Sequence, residues 1–182
     1  MKDDLLSKIK ALPRPLLKQA GRVLGSGLLL SSFSLTAAAG QGAMPGQQAP
    51  EFALTTLAGK SLVLDQSAAA KPIYLKFWAT WCSYCEEEMP HLQRVQDMYG
   101  EQLDVIAVNV GMNDSIARVN AFMEKRHLSL PVSFDSAGEL VGKFHVTGTP
   151  QHILIDRNGE IVHRSALLTD ELQQKILSVI KE

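Results

Sequence analysis

Between Pro72 and Trp78 the chain reads PIYLKFW, an aromatic and β-branched run broken by one charge, Lys76. A near-continuous apolar run of this length predicts a central strand covered on both faces. LDVIAVNV, Leu103 to Val110, predicts a second such strand. Between them, Met89, Leu92, Val95, Gln96 and Tyr99 recur at three- and four-residue steps. That spacing predicts a helix from Cys82 to about Tyr99, closed by Gly100. SIARVNAFMEKRH, Ser115 to His127, repeats the helical period, with Ile116, Val119 and Phe122/Met123 on one side. PVSFD predicts a short strand and ELVGKFH a short helix. QHILID and EIVHRS flank Arg157-Asn158-Gly159, whose Asn-Gly suits a hairpin turn. TDELQQKILSVIKE predicts a closing helix with Thr169 as its N-cap. Ahead of all these, EFALTTLAGKSLVL holds two short β-like runs about Ala58-Gly59-Lys60. The order is hairpin, βαβα, then ββα. It predicts an α/β domain with a mixed central sheet flanked by helices and an added N-terminal β-hairpin. No internal repeat or low-complexity tract is visible.

The first 39 residues follow a different pattern. They carry six Lys/Arg and two acids, then the apolar VLGSGLLLSSFSLTAAAG, ending in small residues at Ala37 and Ala39. A basic start, a short apolar stretch and an A-x-A-like site predict a secretory signal. The alternative is a retained membrane anchor through residues 23–39, because the basic region is long for a signal. Gly40 to Pro50 reads as a Gly/Gln/Pro linker, and residues 51–182 as the folded domain. Without its leader the chain has twelve Lys/Arg against seventeen Asp/Glu. That balance speaks against nucleic acid as a partner. A third reading is a cytosolic protein with a mildly amphipathic leader; the first two place the domain outside the cytosol, in a periplasmic or other extracytoplasmic space. There a dithiol needs a supply of electrons to stay reduced.

Both cysteines lie in one window, WATWCSYC, Trp78 to Cys85. Cys82 follows a strand and opens a helix, where N–H groups and the macrodipole favour an anion and so a thiolate. Cys85 comes about one helical turn later, within reach for a disulfide. Cys82 is the expected attacking thiol and Cys85 the resolving one. An inert staple gains little from so short a loop. A structural zinc site needs four ligands, and no second cysteine pair exists. The five histidines, at 91, 127, 145, 152 and 163, are scattered and read as surface or core residues. No metal site or cofactor is expected.

KFWATWCSYCEEEMP resembles the active-site stretch of thioredoxin-like proteins, in the form found in exported TlpA/ResA/CcmG-like thiol–disulfide oxidoreductases. The resemblance runs from about Met44 to the C-terminus and includes VIAVNV and GTPQHILIDRNGEIV. A lone CxxC would be weak. Trp-Cys-x-x-Cys followed by a helix proline, together with Thr149-Pro150 before a strand, is specific. The resemblance implies a thioredoxin-like fold and a redox-active Cys82–Cys85 disulfide. It makes Pro150 the cis-proline beside that disulfide, leaves the Thr149 backbone free to pair with an incoming peptide, and makes Trp81 a surface aromatic flanking Cys82. Trp78 suits core packing, and Pro90 should kink its helix. Glu88, three residues after Cys85, matches a glutamate that lies near the cysteines in the family. It is a candidate proton relay, since a buried carboxylate can raise a thiol's pKa and move its proton. Glu86 and Glu87 read as solvated.

Two positions depart from the pattern. Thioredoxin has a buried aspartate where this chain has Lys76, and a lysine there is costly unless paired or neutral. Lys76 is expected to meet Glu88 beneath the disulfide; otherwise it snorkels to the sheet edge. Ser83-Tyr84 replaces the proline-containing pairs common between the family's cysteines, which leaves reducing power open. The resemblance implies disulfide-bearing client proteins, an association with cytochrome c maturation, and a membrane protein as electron donor. A peroxiredoxin-like thiol peroxidase is one alternative, from the redoxin-like PGQQAPEFALTTLAGK. Against it, Thr80 lies two residues before Cys82, where that family sets a threonine three before its cysteine. A Cu(I)-handling protein is another, since two thiolates can bind Cu(I).

Overall fold

A computed structural model describes residues 43–65 and 69–181. The leader, its cleavage site and anchor alternative, and the first residues of the linker lie outside the described residues. Among the described residues, seven strands and four helices occur in the order β1 (Phe52–Thr55), β2 (Ser61–Leu64), β3 (Ile73–Trp78), α1 (Ser83–Tyr99), β4 (Asp104–Asn109), α2 (Ile116–Lys125), β5 (Val132–Phe134), α3 (Glu139–Lys143), β6 (Gln151–Ile155), β7 (Ile161–Ser165) and α4 (Asp170–Val179). The main sheet has the order β5-β4-β3-β6-β7. β3 and β5 run parallel to β4, whereas β6 is antiparallel to both β3 and β7.

The apolar runs become the middle of this sheet because their residues are covered on both sides. Every residue of β3 is buried. Alternation along β3 turns Ile73, Leu75 and Phe77 to one face and Tyr74, Lys76 and Trp78 to the other. Phe144, at the end of α3, packs on Phe77 and on Phe52 of the hairpin. α1 and α4 approach the Lys76 face, where Glu88 reaches Lys76 and Glu171 reaches His163. α2 buries Val119 and Met123 and sets Phe122 against Trp78, while Ile116 stays exposed at its start.

The hairpin is a separate two-stranded sheet whose Thr56 and Leu57 bond to the β5 edge. Residues 43–50, read as part of a linker, lie along β7. Gly46 N–H donates to Ile161 O, Ile161 N–H to Gln47 O, and Ala49 N–H to Gly159 O. Ala43 and Ala49 are buried. The physical reason is that β7 is an edge strand with open backbone groups, and a small-residue segment can approach and satisfy them. The β6–β7 turn forms at Arg157-Asn158-Gly159, with Gly159 at φ 79 and Asp156 Oδ1 accepting from Asn158 N–H and Glu160 N–H.

Candidate active site

Cys82 is the N-cap of α1, and its Sγ accepts a hydrogen bond from Cys85 N–H at 3.2 Å. The two cysteines form a disulfide with their Cα atoms 5.2 Å apart. Cys82 keeps 7% exposure, whereas Cys85 has none. That asymmetry leaves Cys82 as the sulfur nearer solvent. Pro90 lies inside α1, which continues through it to Tyr99.

The loop leading to Cys82 is pinned from the turn just before α2. Asp114 accepts from Thr80 N–H at 2.8 Å and Thr80 Oγ1 at 2.9 Å. It also accepts from Asn109 Nδ2 and Ser115 N–H. Burial pushes the Asp114 carboxyl up, but these bonds outweigh it and hold it below its ordinary value. Trp81 is 51% exposed and donates its indole N–H to Met112 O. Trp78 is fully buried. Tyr84, two residues after Cys82, and Met112, whose carbonyl holds the Trp81 indole, are exposed as well.

Thr149–Pro150 is a cis peptide bond. β6 starts at Gln151 opposite Phe77, so Pro150 stands level with the end of β3, from which the chain runs to Cys82. Thr149 is half-buried and Pro150 buried.

Beneath the disulfide lies a closed polar cluster. Lys76 has no exposed side-chain surface; its Nζ donates to Glu88 Oε2 at 2.8 Å and lies 3.4 Å from the carbonyl oxygen of Cys85. It therefore does not snorkel to an edge: β3 is the central strand, and no edge is near. Glu88 Oε2 also meets His152 Nε2 at 3.0 Å, and its Oε1 accepts from Leu168 N–H at 2.8 Å. His152 is buried, with Tyr74 Oη 2.8 Å from its Nδ1. Burial pushes the Glu88 carboxyl up, but donation from His152, Lys76 and Leu168 overcomes it and brings the group down to about 2. Burial lowers the Lys76 ammonium, and Glu88 offsets part of that effect. His152 is likewise lowered by burial, and Tyr74 is raised, by burial and then by the charge of Glu88. Glu86 pairs with Arg126 instead of standing free in solvent, while Glu87 is exposed.

Sequence reasoning missed Tyr74, His152 and Asp114. A signal for His152 exists: it follows Pro150 by two residues, and antiparallel pairing of β6 with β3 sets it directly opposite Lys76.

The AhpC/TSA family pattern matches residues 45–164. The chain belongs to the AhpC/TSA family. It is 36% identical over 138 residues to the thioredoxin-like protein YneN of Bacillus subtilis, covering 74% of this chain and 80% of that one. It is 33% identical over 141 residues to the thiol-disulfide oxidoreductase ResA of Halalkalibacterium halodurans, covering 76% and 78%. Its fold is similar to the crystal structure of StoA from Bacillus subtilis, with TM-score 0.61 and 25% identity over 74% of this chain and 98% of that one. The sheet order, the flanking helices and this likeness make the fold thioredoxin-like. Among the described residues, no helix is long and apolar enough to cross a membrane.

Proposed function

We propose that this thiol–disulfide oxidoreductase works outside the cytosol as a reductase of protein disulfides, through Cys82 and Cys85. The observation that carries the proposal is the disulfide at the start of α1, with Cys82 as N-cap and nearer solvent and Cys85 sealed beneath it. In the reduced protein the helix N-terminus favours the Cys82 thiolate. That thiolate attacks a client disulfide, forming a Cys82–client bond and releasing one client thiolate. Cys85, after losing its proton, attacks Cys82 Sγ. The Cys82–Cys85 bond forms and the second client sulfur leaves, so the client gains two electrons and two protons. Trp81 and the Thr149–Pro150 segment form the contact surface for the client chain. A membrane protein returns the electrons, and the clients are envelope proteins whose cysteines must stay reduced, as in cytochrome c maturation. ResA, a relative named as a thiol-disulfide oxidoreductase, supports the reaction class.

Lys76 and Glu88 enter as a fixed ion pair under Cys85. Carrying protons would require Glu88 to accept one against three donors, so its part here is to hold charge in place. The test is reduction of a model protein disulfide by the reduced chain, with Cys85→Ser expected to accumulate a Cys82–client mixed disulfide. Faster peroxide consumption than disulfide reduction would instead favour the peroxidase alternative. Against that alternative, the Thr80 hydroxyl is engaged by Asp114. A reduction potential near about −270 mV supports a reductase, and one near about −120 mV an oxidant.

A further inference from the structure

We infer that His152, backed by Tyr74, is a positioning residue for the dithiol: it shares Glu88 Oε2 with Lys76 and so sets the charge that Cys85 meets when it loses its proton. The inference rests on the dithiol proposal above and extends it to two residues outside the cysteine motif.

The geometry assigns each proton. Lys76 can only donate, and it donates to Glu88 Oε2. An ionised Glu88 can only accept, so His152 Nε2 carries the hydrogen in the 3.0 Å contact. Burial favours the neutral imidazole, so Nδ1 is then the acceptor, and the Tyr74 hydroxyl, 2.8 Å away, donates to it. The result is a chain of single direction, Tyr74 to His152 to Glu88, which fixes one tautomer of a buried imidazole. Every member is buried or nearly so: Tyr74 and His152 at 1% exposure, the Lys76 side chain at 0% and that of Glu88 at 13%. Low polarity makes such a chain consequential, because a donor removed there is not replaced by bulk water.

The groups facing His152 are Lys76 and Tyr74 from β3, Glu88 and His91 from α1, and His163 from β7. His163 is in turn faced by Glu171 and Lys175 from α4. Of these, Lys76 also reaches the disulfide, through the Cys85 carbonyl at 3.4 Å. Without the imidazole N–H, Lys76 alone must balance Oε2. The ammonium is drawn to the carboxylate, the field at Cys85 becomes more negative, and its thiolate is disfavoured.

The test uses the full chain carrying Cys82→Ser, in which Cys85 is the only thiol. Its ionisation is followed against pH by the cysteine Cβ NMR shift of labelled protein. His152→Leu is expected to raise the Cys85 pKa by about 0.5 to 1, or roughly three- to tenfold less thiolate at a given pH, as expected for one lost hydrogen bond. His152→Gln, which can still donate to Glu88, is expected to restore more than half of the change. Tyr74→Phe keeps the packing and frees the tautomer, so a smaller rise is expected; it also serves if His152→Leu does not fold. A Cys85 titration unchanged in the folded variants overturns the inference, as does a Gln variant no better than Leu. Disulfide reduction by the unsubstituted chain is measured alongside. Its absence would defeat the dithiol proposal, while the Cys85 titration would still decide the role of His152.

Discussion

Replacing Glu88 with glutamine isolates the ion pair under the Cys82–Cys85 disulfide. Glu88 binds its proton more weakly folded than unfolded, at about 2 against an ordinary 4.5. Its contribution is therefore complete above about pH 4.5 and is lost as pH falls from there toward about 2. The difference corresponds to roughly 3 kcal/mol. That agrees with the roughly 3–5 kcal/mol lost when one partner of a buried pair is removed. E88Q should lose about 3 kcal/mol at neutral pH and should lack the acid-side fall of the parent. Its alkaline side should also differ. Lys76, fully buried and now without a counter-ion, has a folded pKa further below its unfolded 10.5. Between those two values the unfolded chain binds more protons, so the stability of E88Q should rise with pH. Urea unfolding followed by Trp78 and Trp81 fluorescence, from about pH 3 to 10, measures all three features. A deficit below about 1 kcal/mol at neutral pH, or parallel acid-side curves for parent and variant, would refute the pair as a structural element.

Asp114→Asn keeps the shape but has one oxygen where four donors converge, so it should cost about 1–3 kcal/mol in unfolding free energy. The freed Thr80 should also alter the iodoacetamide reaction rate of reduced Cys82. Arg164 donates to Ala43 O, Phe144 O, His145 O and Gln151 Oε1. Arg164→Ala should cost about 2–4 kcal/mol and expose residues 43–50 to limited proteolysis, read as new cleavage in that segment.

Much of the architecture was legible because each element carries its own period. The β3 and β4 runs are apolar without interruption, α1 has helical spacing, and Ser115 and Thr169 cap helices through their side chains. Cys82 as an N-cap was legible for the same local reason: a strand ends, two polar residues follow the first cysteine, and a helix begins. The meeting of Lys76 with Glu88 was also within reach, since a charge inside a buried run demands a partner.

The positions that escaped notice are those whose meaning depends on register. His152 is one of five scattered histidines until β6 pairs with β3 and sets it beside Lys76. Leu168 supplies only a backbone N–H to Glu88, and no side-chain pattern marks such a donor. Asp114 looks like any loop acid before a helix until the β3–α1 loop settles against it. Residues 43–50 read as linker because their docking uses backbone groups of an edge strand, to which composition is blind.

By itself, then, the order of residues determined the elements, the helix start at which Cys82 sits as N-cap, and the need to neutralise Lys76. Those properties follow from local periodicity and from the cost of burying a charge. The tertiary structure decided the rest: how many donors converge on Glu88, and that an imidazole and a phenol complete the cluster. These depend on hydrogen-bond distances between residues up to 80 positions apart, as from Glu88 to Leu168, and only chain packing sets them.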